Sequence, residues 1–128
     1  MNIMSSNENG KRGEDFAAAI LEKQGFRIIA RNFRKKCGEI DLIAANRKVL
    51  VFIEVKTRTV GSLISPAEAV NLSKQRRIIK TAMLYLAQNP TELQPRFDVF
   101  EVRSTPEGLK GIHIPGAFEI TDQNSPRV

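Results

Sequence analysis

Two apolar runs separated by a short polar break set the terms for this chain. They are Gly38-Glu39-Ile40-Asp41-Leu42-Ile43-Ala44-Ala45 and, after Asn46-Arg47, Lys48-Val49-Leu50-Val51-Phe52-Ile53-Glu54-Val55-Lys56. They read as two β-strands joined by a tight turn. Side chains alternate faces along a strand, so Glu39, Asp41 and Ile43 share a face of the first. Leu50, Phe52, Glu54 and Lys56 share a face of the second. That second run is apolar on both faces as far as Glu54, the pattern of an interior strand covered from both sides. A carboxylate and an ammonium two residues apart on such a strand are costly unless they are paired, metal-bound or exposed at a cleft.

Register sharpens the point. A two-residue turn at Asn46-Arg47 sets Asp41 opposite Phe52 and diagonal to Glu54; a loop two residues longer sets Asp41 directly opposite Glu54. Any even-length loop keeps both carboxylates on one face, roughly 5–8 Å apart at Cβ. Two carboxylates that close repel unless a proton or a cation lies between them. Oxygen ligands favour Mg²⁺, and a neighbouring lysine suits a phosphate or an attacking water. The pattern points to a magnesium-dependent phosphodiesterase site.

The rest of the composition narrows the classes. The chain has 128 residues, long enough for one globular domain with its own core. Residues 1–10, rich in Asn and Ser, read as a disordered tail, 11–120 as the domain, and 121–128 as a frayed C-terminal tail. The single cysteine, Cys37, rules out a disulfide framework or a multi-cysteine zinc site and fits a reducing cytoplasm. The single histidine, His113, argues against a histidine-based metal site or triad. No stretch has the apolar length of a membrane span, and the amino terminus lacks the core of a secretory signal. Twenty Lys and Arg against fourteen acids give a net charge of +6, compatible with nucleic acid as partner but not diagnostic of it.

Taken in order, the pattern predicts a helix from Lys11 to about Gln24, with Gly13, Phe16, Ala17, Ile20 and Leu21 facing the core. Glu14 falls at the edge of that arc. It is either a first-turn glutamate favoured by the helix dipole or a carboxylate leaning over the sheet toward Asp41 and Glu54. Phe26 to Phe33 reads as the first strand. Arg34-Lys35-Lys36 forms a basic turn, either solvated or in contact with a phosphate backbone. Residues 57–66, which include Arg58, read as a mobile loop at the end of the charged strand.

Ser65-Pro66-Ala67-Glu68 looks like a helix start, and the helix runs to about Gln88. Leu72, Ile78, Ile79, Ala82, Met83 and Leu86 form its apolar arc. Gln75 lies within that arc and must be hydrogen-bonded: it either ties down a backbone group or reaches the active-site edge of the sheet. Arg76, Arg77 and Lys80 mark an outward basic stripe, with Lys74 off to one flank, and no acid relieves it between Leu72 and Gln88. Phosphate contact is the functional reading of that stripe. Arg96 to Arg103 reads as a fourth strand and Leu109 to Ile114 as a short fifth at the sheet edge.

The order helix, three antiparallel strands, helix, strand, with Asp41, Glu54-Val55-Lys56 and an upstream Glu14, resembles the PD-(D/E)XK nuclease superfamily, which includes restriction enzymes and archaeal Holliday-junction resolvases. More narrowly, Gly-Glu-Ile-Asp-Leu-Ile-Ala, Val-Phe-Ile-Glu-Val-Lys-Thr-Arg and Arg-Phe-Asp-Val resemble the YraN-type family, whose mostly uncharacterised members are assigned as endonucleases. The resemblance covers roughly Lys11 to Val102. It implies an α/β fold with a restriction endonuclease-like core: a central mixed sheet of four to five strands with a helix on each side. It assigns Asp41, Glu54 and the Val55 backbone carbonyl to Mg²⁺ or Mn²⁺, with Glu14 at a second metal or its water shell. Lys56 would orient or deprotonate the attacking water, and Gln75 lies on the helix that lends a residue to the site in related nucleases. Ile40 stands where the superfamily motif has proline.

Three functions follow as expectations. The first is a metal-dependent endonuclease acting on DNA, with branched or junction substrates among the candidates. The second is a nucleic-acid-binding protein that keeps the fold without catalysis. The third is an unrelated α/β protein with a structural Glu54–Lys56 pair, which forbids metal binding. A homodimer would suit two-strand cleavage, although nothing in the sequence names an interface.

Overall fold

The computed structural model describes residues 6–59 and 70–126. Its elements run α1 (Ser6–Lys23), β1 (Arg27–Lys35), β2 (Gly38–Ala45), β3 (Val49–Thr59), α2 (Leu72–Gln88), β4 (Gln94–Thr105) and β5 (Gly108–Phe118). The strands form one sheet in the order β1-β2-β3-β4-β5. The three consecutive strands at the start are antiparallel neighbours. A parallel pair needs a crossover; β3 and β4 are parallel, and α2 lies between them in the chain. The result is an α/β fold with a mixed sheet and a helix on each face, as expected.

The double-sided apolarity of β3 now has its cause. Val51 and Ile53 pack with Ala17, Ala18 and Leu21 of α1, while Leu50 and Phe52 pack with Ile78, Ile79, Ala82 and Tyr85 of α2. Each such fully buried side chain contributes about 1.5–3 kcal/mol. Gly13 lets α1 come close to β3, since a Cβ there would collide with the Thr57 hydroxyl.

Several expectations change. The first helix begins at Ser6, so residues 6–10 are helical rather than a disordered tail; adding a turn to a formed helix is cheap even without apolar residues. Residues 57–59, expected to open the loop, continue β3 instead; the rest of that loop, 60–66, and the helix start at Ser65 lie outside the described residues. The α2 that is described begins at Leu72, capped by Asn71, whose extended backbone and side-chain bond to Lys74 N stop the helix from running through it. Leu72 and Met83, expected in the core, are 41% and 53% exposed. At about 100° per residue, the buried arc is turned away from them, toward Thr81 and Tyr85. Thr81 satisfies its hydroxyl on Arg77 O at 2.7 Å.

The fifth strand extends past Pro115-Gly116 to Phe118. The segment after it is not frayed: Asn124 is buried and bonds Glu119 O and Gln75. No helix among the described residues is long and apolar enough to cross a membrane.

Candidate active site at a fork in the sheet

The β2–β3 register pairs Ala45 with Leu50 and Leu42 with Ile53. This is the longer of the two loops considered. Asn46 closes it, its side chain accepting from Lys48 N and Val49 N and its own N–H donating to Val49 O. The ladder ends at the Leu42–Ile53 pair, and Asp41 and Glu54 are the next residues on the two strands, in the register the longer loop sets. Beyond that point β2 remains paired with β1 to Gly38, while β3 remains paired with β4 to Thr59. The sheet forks, and the two carboxylates stand at the fork.

On β1, across from the fork, Asn32 has an irregular backbone. It lies between the Arg31–Leu42 and Phe33–Ile40 pairs with φ 51°, a left-handed conformation that asparagine tolerates better than most residues. Strict alternation breaks here: Ile40 and Ile43, three apart, both join the α2-side core. Asp41 caps the opened end of β3, accepting from Val55 N at 2.8 Å.

Two cavities meet at the carboxylates. One, of about 460 Å³, lies on the α1 side and is lined by Arg12, Glu14, Thr57 and Arg58 as well as Asp41 and Glu54. The other, of about 400 Å³, lies on the α2 side and adds Glu39, Lys74 and Arg77 to the same pair. Glu14 therefore leans over the sheet, as one of its two readings required. Burial raises its pKa, partly offset by the Asn32 side chain.

The electrostatics are those of a crowded acidic pair. Asp41 is pushed up to about 7, by burial first and then by the charge of Glu54. Glu54 is only 7% exposed and carries two lysines on one oxygen, Oε1: Lys56 at 3.2 Å and Lys74 at 2.5 Å. Burial, and then the neighbouring Lys74, lower the pKa of Lys56. Lys74 is also penalised by burial, but its contacts with Glu54 and Lys56 outweigh that and raise its pKa. Among the described residues no three His, Cys, Asp or Glu side chains converge as a metal cluster.

Lys74 is the residue that pattern reading misplaced. It was set on the flank, yet it shares the i, i+4, i+7, i+11 spacing of Ile78, Thr81 and Tyr85 and therefore projects over the sheet. That spacing was the available signal. Gln75 takes the structural role: its Nε2 donates to Val70 O and its Oε1 accepts from Asn124 Nδ2, both at 2.9 Å. Both ends of the amide are thus engaged away from the carboxylates.

The other basic positions divide. Arg77 lines the α2-side cavity and, with Cys37, Arg76 and Lys80, an adjoining one of about 500 Å³. Arg76 also donates to Gln123 O at 2.8 Å. Arg34 pairs with Glu39 at 3.2 Å, and Lys35 lies over the Phe33 ring. Lys36 is exposed in the turn, and Arg58 is held by Glu101.

A model of the uncharacterised protein family UPF0102 matches residues 13–102. A UPF0102 protein of Syntrophotalea carbinolica is 46% identical over 112 residues, covering 87% of this chain and 91% of its own length. One from Symbiobacterium thermophilum is 53% identical over 100 residues, covering 77% and 85%. Among solved structures, SfsA of Pyrococcus furiosus in complex with Ca²⁺ aligns with a TM-score of 0.37 at 16% identity, covering 92% of this chain and 67% of that one.

Proposed function

The chain belongs to the UPF0102 family, and we propose that it is a metal-dependent endonuclease that hydrolyses phosphodiester bonds in DNA. The observation that carries this reading is the Asp41–Glu54 pair at the fork, with Lys56 and Lys74 on Glu54. A buried and a half-buried carboxylate that repel each other are an unfavourable arrangement in isolation, and a divalent cation relieves it. The donors are all oxygen, which fits Mg²⁺ or Mn²⁺. Asp41 and Glu54 would hold the ion, with the Val55 carbonyl beside them and Glu14 at the far wall of the same cavity. Both recorded lysine contacts fall on Oε1 of Glu54, so they do not compete for Oε2.

A bound divalent ion would polarise the phosphoryl oxygen and acidify water. The chain's own groups supply the rest. Lys56, whose charged form is disfavoured by burial and by the neighbouring Lys74, is the group placed to orient the attacking water and take up its proton. Lys74 stays cationic and offsets the charge that develops on the phosphoryl oxygens. Arg77 and Lys80 extend positive charge away from the cleft along α2, where a phosphate backbone can lie.

A second reading, nucleic-acid binding without cleavage, draws on the absence of a third converging ligand among the described residues. One experiment separates the two. Labelled single strand, duplex, flap and four-way junction are incubated with the protein in Mg²⁺ and in Mn²⁺, beside purified Glu54→Ala and Lys56→Ala. Cleavage by the wild type that both variants lose establishes the nuclease and ranks its substrates. Binding of DNA with no cleavage, and no metal uptake by calorimetry, moves the assignment to the binding reading.

A further inference from the structure

The charged face of β3 does not end at Lys56. Parallel pairing sets Lys56 beside Glu101 and Arg58 beside Arg103, and β5 adds Lys110 opposite Arg103. Alternation places Glu54, Lys56 and Arg58 on the same face as Glu101 and Arg103. Glu101 is completely buried, and it is approached by Arg58 Nε at 3.3 Å and by Arg103 Nε at 3.4 Å.

Those contacts are ion pairs without aligned hydrogen bonds: both Glu101 oxygens and both Nε atoms are buried without a hydrogen-bond partner. A buried carboxylate is costly unless it is well paired, so this trio is not explained as an optimised stability element. Its charge is also incomplete. Two guanidinium groups and one carboxylate leave one positive charge, which one phosphodiester would neutralise. Both arginines turn Nε toward Glu101, and among the described residues no carboxylate pairs with their terminal nitrogens, the groups that suit phosphate oxygens. Arg103 is 43% exposed on its side chain, and Lys110 is exposed next to it.

We infer that Arg58 and Arg103, braced from below by Glu101 and flanked by Lys110, bind a backbone phosphate further along the same nucleic-acid strand whose scissile phosphate occupies the fork. This rests on the nuclease reading above for the identity of the strand. Four residues of parallel strand separate Glu54 from Arg58, about 13 Å at Cα, close enough for one strand to reach both. The substrate would then run from the Lys74–Arg77 side of α2, across the carboxylates, and out over the β3–β5 end of the sheet.

The test is binding without turnover. Fluorescence anisotropy of a labelled oligonucleotide, single-stranded and duplex, is followed in EDTA across a salt series. Wild type is compared with Arg103→Gln, Arg103→Lys, Lys110→Gln and, as a charge-matched control in the β2–β3 loop, Lys48→Gln. Arg103→Gln and Lys110→Gln are each expected to lower the slope of log Kd against log salt by about 0.7–0.9. Arg103→Lys should restore the slope with weaker binding, and Lys48→Gln should leave it unchanged. A purely structural trio would shift the thermal melt but not the slope.

Unchanged slopes in Arg103→Gln and Lys110→Gln, or an equal loss in Lys48→Gln, would overturn the site. So would a wild type that binds no nucleic acid in EDTA. Metal-dependent cleavage is scored separately: slope losses confined to Arg103 and Lys110 support the site even if no cleavage is found.

Discussion

Asp41 and Asp98 both sit on strands of the same sheet, and the protein treats their carboxyls in opposite ways. Asp98, on β4, is wholly buried and fully engaged. Arg96 grips it through Nε and Nη2, both at 2.9 Å, His113 Nε2 lies 2.7 Å away, and Gly116 N donates at 2.9 Å. Burial alone would raise its pKa, but the His113 and Arg96 contacts overcome that and lower it. Asp41 has one backbone donor and a second carboxylate for company, and its pKa rises to about 7. One carboxyl is stabilised where it stands. The other is held in tension at a cavity mouth, the condition expected of a group awaiting a ligand.

The strongest way to break this contrast is to neutralise Asp98. Asp98→Asn removes one member of a buried ion pair and is expected to cost about 3 kcal/mol or more of stability by urea denaturation. Cleavage per folded molecule should stay within about threefold of wild type, because the residue does not touch the fork. Lys56→Ala should do the reverse, with a rate loss of about a hundredfold or more and a stability change under about 1 kcal/mol. A large rate loss in a well-folded Asp98→Asn would dissolve the division between brace and site.

A third substitution tests the tension itself. Asp41 goes from an ordinary 3.8 to about 7 on folding, so the folded state holds a proton that the unfolded state has released. In EDTA, stability should therefore fall as pH rises from about 4 to 7. Asp41→Asn should abolish that fall. The pKa gap sets a ceiling of about 4 kcal/mol; solvent at the cavity mouth screens part of it, leaving a gain on the order of 2 kcal/mol at pH 8. Adding Mg²⁺ should then stabilise the wild type more than the variant. A metal-free Asp41→Asn that melts below wild type at pH 8 would show that the pair is not repulsive.

Much of this was legible in the chain, for identifiable reasons. The hairpin could be read because Val49–Ile53 is apolar on both faces, and the pairing of Asp41 with Glu54 was one of the two registers weighed. Which register holds depends on the Asn46 side chain closing the turn, a local hydrogen-bond choice that hydropathy does not encode. The fork was hidden because strict alternation fails at Asp41, opposite an Asn32 in a left-handed conformation that hydropathy does not signal. Lys74 was misjudged because a lysine looks solvent-facing until a buried carboxylate is placed beneath it. Gln75 had two readings, and only the packed position of Asn124, in a segment that looked frayed, decides between them. The part His113 plays could not be read from the chain, because its partner Asp98 is fifteen residues distant and the bond between them arises from β4–β5 pairing.

The smallest effect sharpens the comparison most finely. His113 does two things: it bonds Asp98, and it stacks on Phe100 with ring centroids 5.8 Å apart. His113→Gln should cost about 1 kcal/mol at pH 7, and the pH dependence of that cost separates the two roles. A carboxyl whose folded pKa is depressed contributes stability above its unfolded value of 3.8 and loses it as pH falls through the lower folded value. Without the His113 contact the depression is smaller, so the variant has less to lose in acid. The gap between wild type and variant should therefore close as the pH falls below about 4. A gap that keeps its size throughout would assign His113 to packing and leave Arg96 and Gly116 as the groups that hold Asp98.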